Sequence, residues 1–254
     1  MKINLLLQAW PRGTVALHPW LARNGVSRKL AEAYRKGGWI DSVGRGAFVR
    51  RGERVDWPGA VYALQTYGGK QVHPGGRTAL ELHGYAHFLQ LGEKPVVRLY
   101  GAPGERLPSW FLGHDWGVTV HYSTMRLFAV DEPSSWTDKA FGEFSLRVSG
   151  PERAILECLD GVPEETSFEE ARLLMEGLAG LRPNVVQMLL EACRSVKVKR
   201  LFLFLADEAG HPWRAKLEDE RVDLGKGKRL VVRGGQLAPR YLITVPRTLQ
   251  GEGL

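Results

Sequence analysis

Apolar residues recur along the chain in short bursts broken by glycine, proline and charge, and the period of each burst predicts its element. Ile3 to Ala9 reads as a short apolar helix, and Thr14-Val15-Ala16-Leu17, β-prone and too short for a helix, as a strand. Pro19 suits the first turn of a helix, where its missing N–H costs nothing, so a helix runs from Pro19 to about Asn24. Gly25 supplies the left-handed residue that ends it, and Ser27 is a good N-cap for the next helix. From Arg28 to Lys36 the polar side chains Arg28, Lys29, Glu32, Arg35 and Lys36 share one arc of the helix, while Leu30, Ala31, Ala33 and Tyr34 lie opposite. Gly37-Gly38 stops the helix. Two strands follow, Trp39 to Val43 and Ala47 to Arg50, around a Gly44-Arg45-Gly46 turn with Arg45 at its tip. Helix, strand, helix, turn, basic helix and hairpin is the order of a winged helix-turn-helix.

Beyond it, Arg51 to Gly59 is polar and broken by proline, as a linker would be. Thr78 and Glu81 have capping-box spacing and predict a helix to about Leu91, closed by Gly92. Short β-prone runs follow at Val96–Tyr100, Gly117–Tyr122, Leu127–Val130 and Phe144–Val148. From Ser149 the pattern turns helical. Ser149 with Glu152 and Ser167 with Glu170 repeat the capping-box spacing, Pro183 and Ser195 open two further helices, and the last of these ends near Gly210. Arg229–Val232 and Tyr241–Val245 predict a closing strand pair. The expected fold is α+β: a winged helix over 1–56, a mixed α/β region over 57–148 and a mainly helical region over 149–254.

Charge sharpens this division. Residues 1–56 hold eleven basic against four acidic side chains, a net of +7, which is the whole excess of the chain; the remaining residues carry 24 of each sign. A basic excess confined to one small module is the footprint of a polyanion-binding domain, because each neutralised phosphate releases condensed counterions. The plainer alternative is an α+β subdomain with a solvated basic face. Contacts to DNA are expected from Ser27, Arg28, Lys29, Glu32, Arg35, Lys36, Arg45 and Arg50. Residues 195–254 carry twelve basic and seven acidic groups, so a second basic surface is expected around Lys226, Lys228, Arg229 and Arg233, with Lys197 and Lys199 on the helix before it; a solvated loop and strand edge explains the same residues.

Other chemistry finds little footing. His83 and His87 have the four-residue spacing of zinc-binding histidines, but Gly84 stands where a metalloprotease glutamate would be and no third ligand lies near. His114-Asp115 and Asp131-Glu132 lack a nucleophile beside them, and Gly225-Lys-Gly-Lys-Arg lacks the spacing of a P-loop. No catalytic residue, metal or cofactor is predicted. Cys158 and Cys193 sit in apolar helical patterns, as buried free thiols do. No apolar run approaches the length of a membrane span and no signal pattern opens the chain, so a cytoplasmic protein is expected.

The winged segment, the stretch His73-Pro-Gly-Gly-Arg-Thr-Ala-Leu-Glu-Leu-His-Gly-Tyr85 and the stretch Arg194-Ser-Val-Lys-Val-Lys-Arg-Leu-Phe-Leu-Phe-Leu-Ala206 resemble the AbiEi abortive-infection antitoxins over nearly the full chain. The resemblance implies an N-terminal winged helix that binds double-stranded operator repeats and represses its own operon. It also implies a C-terminal part that neutralises a co-encoded nucleotidyltransferase-like toxin, a type IV toxin–antitoxin system. By position it places DNA contacts on Ser27 to Lys36 and on the Arg45 wing. From the residues alone, a ligand-sensing regulator and a nucleic-acid-processing enzyme targeted by the winged helix remain open.

Overall fold

A computed structural model describes residues 3–85 and 94–247. In chain order the elements are α1 (Ile3–Ala9), β1 (Ala16–Leu17), α2 (His18–Arg23), α3 (Arg28–Lys36), β2 (Ile40–Gly44), β3 (Ala47–Arg50), α4 (Trp57–Tyr62), β4 (His73–Pro74), α5 (Gly76–Leu82), β5 (Val96–Gly101), α6 (Ser109–Leu112) and β6 (Thr119–Thr124). They continue as β7 (Trp136–Phe141), β8 (Phe144–Ser149), α7 (Pro151–Asp160), α8 (Phe168–Gly177), α9 (Pro183–Ala192), α10 (Val196–Ala209), β9 (Arg229–Leu230), β10 (Gln236–Ala238) and β11 (Ile243–Val245). This α+β chain divides into two compact units, one of residues 1–74, 89–125 and 137–148, the other of 75–88, 126–136 and 149–254.

The first unit opens with the winged helix. Strands β1, β3 and β2 form an antiparallel sheet in that order, with Ala16 opposite Phe48 and Phe48 opposite Ser42. Its local signals act as the residues require: Gly25 takes φ +73°, and the Ser27 hydroxyl accepts the Leu30 N–H at 3.2 Å. Leu6, Trp10, Val15, Leu21, Val26, Ala31 and Ile40 bury together beneath it, the Trp10 indole donating to the Thr14 carbonyl at 3.1 Å. The stretch expected to be a linker ends differently. Trp57, Pro58 and Gly59 make the first turn of α4, and Gly59 lies so close to the Gly13 carbonyl that a Cβ there would stand 1.8 Å from it. Helix α4 continues as a wider turn over Ala63–Tyr67, and Tyr67 meets the Trp20 ring at 5.2 Å, so these residues share the core of the winged helix.

The rest of this unit is a sheet in the order β4-β5-β6 and the hairpin strands β7 and β8. Strand β5 runs parallel to β6, from Val96 opposite Thr119 to Gly101 opposite Thr124, and the parallel pairing is made possible by the crossover through α6. Three elements here have no counterpart in the sequence pattern, the two-residue β4, the four-residue α6 and the half-polar β7. A strand expected over Leu127–Val130 is reduced to a single bridge between Phe128 and Cys193.

In the second unit α7 is the hub, burying Ala154, Ile155, Leu156, Cys158 and Leu159 against α5, α8, α9 and α10. Ser167 and Ser195 cap α8 and α10 as expected, accepting the Glu170 and Val198 N–H groups. The other two boxes are corrected. Helix α5 starts at Gly76 with Thr78 buried inside it, and it stops at Leu82 because Gly84 turns left-handed at φ +83°; residues 86–91 of the expected helix lie outside the described residues. Ser149 does not cap α7, since its hydroxyl donates to the buried Glu157 carboxylate at 2.8 Å while Glu152 pairs with Arg182. The closing strand pair is a three-stranded sheet in the order β10-β11-β9, whose Ile243 and Val245 are buried. Both cysteines are buried thiols outside any disulfide, and burial pushes the Cys193 thiol up to about 11. Among the described residues no helix is long and apolar enough to cross a membrane.

Candidate nucleic-acid interface

Helix α3 is bound to the molecule along a narrow strip. Ala31 alone is buried, Leu30 and Tyr34 are half-buried, and Ala33, placed on the packing side by its helical angle, is exposed. Ser27, Arg28, Lys29, Glu32, Arg35 and Lys36 are all exposed. Among the described residues Arg28, Lys29 and Lys36 have no ion-pair partner, whereas Arg35 is forked onto Glu32, Nε donating to Oε2 at 2.9 Å and Nη2 to Oε1 at 2.7 Å. Hydrogen bonding from Arg35 holds the Glu32 carboxyl below the usual carboxylate range. Two cations in the first turn of α3, with no acid there, oppose the helix macrodipole. A local conflict of that kind is expected where a surface serves a ligand.

The wing tip carries Arg45, exposed between Gly44 at φ +147° and Gly46 at φ +75°. Gly44 does more than turn. A Cβ at that position would stand 2.6 Å from the Trp110 Cβ and 2.8 Å from its Cα, so the wing lies directly against α6. Trp110 is in turn fixed edge-on against Phe111 at 5.7 Å and Trp116 at 6.1 Å. Nothing in the local sequence announces this contact.

Arg50 is placed differently from the other expected DNA contacts. Its side chain is 14% exposed, its Nη2 donates to the Leu7 carbonyl at 2.7 Å, and its guanidinium lies 5.9 Å from the Trp10 ring centre, so it braces α1.

The basic residues expected at a second surface separate into two groups. Lys197 donates to the carbonyls of Asp160 and Val162 at 2.8 and 2.7 Å, and Lys199, buried, donates to that of Asp223 at 2.7 Å. Lys226, Lys228 and Arg233 are exposed, with Arg229 half-buried beside them and donating to the Lys226 and Lys228 carbonyls. What holds that loop is Arg200, which the sequence reading left among the apolar residues of α10. At 2% exposure its guanidinium donates to the carbonyls of Leu224, Gly227, Gly225 and Leu242 at 2.8, 2.6, 3.0 and 3.3 Å. Burial, with the charge of Arg229, draws its pKa below that of an ordinary arginine. A signal existed: a helix apolar on all sides from Leu201 to Ala206 is buried all round, so the charges next to it cannot all reach water.

Of the histidines, His83 Nε2 sits 3.0 Å from the Ser149 carbonyl, and His87 lies outside the described residues. Among the described residues no group of three His, Cys, Asp or Glu side chains is arranged to hold a metal.

A winged helix with an exposed basic second helix, set in a larger α+β chain, is the architecture of a transcriptional regulator. Residues 94–246 match the family described as transcriptional regulator, AbiEi antitoxin, type IV toxin–antitoxin system, and residues 1–91 match its AbiEi antitoxin N-terminal domain. The chain belongs to the AbiEi antitoxin family. A search among curated proteins returns no significant match. The crystal structure of the RV2827C protein from Mycobacterium tuberculosis has a similar fold, with a TM-score of 0.59 at 17% identity over 95% of this chain and 88% of that one.

Proposed function

We propose that this regulator and antitoxin represses its own operon by binding double-stranded operator DNA through residues 1–56, and that residues 57–254 neutralise a co-encoded nucleotidyltransferase-like toxin. It acts in the cytoplasm as a binding protein rather than as an enzyme. The observation that carries the DNA half is the set of exposed cations without ion-pair partners among the described residues, Arg28, Lys29 and Lys36 on α3 and Arg45 on the wing tip. Such groups meet phosphates, while the helix between them can enter a major groove.

The salt dependence of DNA binding tests this reading. Replacing Arg28 and Lys29 together by alanine is expected to reduce the slope of log affinity against log salt by about two units, since each phosphate contact contributes about 0.9. Binding that keeps the wild-type slope in the double variant would remove both residues from the interface.

A further inference from the structure

The Glu32–Arg35 pair sits on the exposed face of α3 and differs from the other charges there. Both Glu32 oxygens are taken by Arg35, and the pair as a whole is neutral. It therefore offers little to a phosphate, which would meet the Glu32 carboxylate along with the guanidinium. The fork also fixes which donors remain. With Nε–H and one Nη2–H spent on the carboxylate, the donors at the end of the guanidinium, one N–H on Nη2 and both on Nη1, are not used by the fork, and the side chain is exposed. Side chains on a helix lean toward its N-terminus, so the head of Arg35 lies over the turn that carries Glu32, toward the middle of α3.

Resting on the DNA-binding reading above, we propose that Arg35 is the guanine-reading residue of this protein and Glu32 the positioning residue that holds it. Two parallel N–H groups at the end of a guanidinium match the O6 and N7 acceptors of guanine in the major groove. Adenine places a donor where the second acceptor is needed, and thymine offers a single acceptor beside a methyl group, so the fork rejects both. The carboxylate locks the arginine before DNA arrives and so lowers the ordering cost of the contact. Glu32 also has lone pairs left to accept from the N4 amino group of a neighbouring cytosine.

Selection of bound duplexes from a random-sequence pool with the full-length protein, followed by affinity and salt-slope measurements on the recovered site, tests the assignment. The wild type is expected to recover a motif with guanine at a defined position, preferred there by roughly ten- to a hundred-fold. Arg35→Ala is expected to abolish the preference at that position alone, keep the salt slope within half a unit and leave the unfolding midpoint unchanged, since the pair is exposed. Glu32→Gln is expected to keep the guanine with a weaker preference and to steepen the slope, because the freed arginine now meets phosphate. An Arg35→Ala protein that selects the same motif with a slope shallower by about one would make Arg35 a phosphate contact and overturn the proposal. A wild-type protein that enriches no motif would overturn the sequence-specific reading itself, and this assignment with it.

Discussion

At the residue scale, charged side chains of one type do unrelated work. Arg45 is exposed on a turn, Arg50 braces a helix, and Arg200 is almost wholly buried, donating to four backbone carbonyls and, among the described residues, forming no ion pair with a carboxylate. An arginine suits that last place because its planar fork of five donors can reach four separated carbonyls at once, whereas an ammonium has three donors on a single atom. Arg200→Met is expected to cost about 1–3 kcal/mol in urea unfolding, because several part-buried carbonyls lose the donor they share. Arg200→Lys should recover part of this, and a loss under about 1 kcal/mol for the methionine variant would mean that the Leu224–Lys228 loop holds itself. None of these roles is written in residue type. The sequence reading grouped Arg50 with the DNA contacts, and Lys197 and Lys199 with a basic surface, because it saw charge and could not see the carbonyls that receive it.

At the scale of elements, local chemistry was the readable part. Ser27, Ser167 and Ser195 cap their helices, Pro19 and Pro183 sit in first turns and Gly25 and Gly210 turn left-handed, since each acts on backbone within a few residues. The boxes at Thr78 and Ser149 failed because distant partners competed for the same groups. Glu152 shows the competition. Burial alone would raise its carboxyl, but the Arg182 backbone N–H and Nε at 2.9 Å and Nη2 at 2.8 Å outweigh that and hold it below the usual range, tying α7 to the start of α9. A carboxyl whose pKa is lower in the folded state than in the unfolded chain contributes stability that is fully present above the ordinary carboxylate range and is lost as pH falls through the folded value. Glu152→Gln should therefore be less stable than the wild type at neutral pH, with the gap closing below about pH 4. A gap that stays constant in acid would assign the loss to packing.

At the scale of the molecule, the winged helix and residues 57–74 belong to one compact unit, with Gly59 against Gly13 and Tyr67 against Trp20. Cutting the chain at residue 57 would strip apolar surface from both pieces, so the two proposed activities are better separated by substitution than by truncation. Cells expressing the neighbouring reading frame are expected to stop growing, and to recover equally with the full-length chain or with its Arg28→Ala/Lys29→Ala variant, which is expected to have lost repression. Growth arrest that persists with soluble full-length protein would refute neutralisation of that neighbour. The seat of Gly44 against Trp110 bears on how such a protein can change over generations. Descendants are free to alter Arg28, Lys29 and Arg45, which are exposed, and Arg35, whose partner Glu32 is exposed beside it, and so, on the DNA-binding proposal, to drift toward new operators. Position 44 has no such freedom, because its φ of +147° disfavours a side chain and the Cα and Cβ of residue 110, present whatever side chain stands there, leave no room for a Cβ. Lineages that diverge in the DNA they recognise should still inherit that glycine.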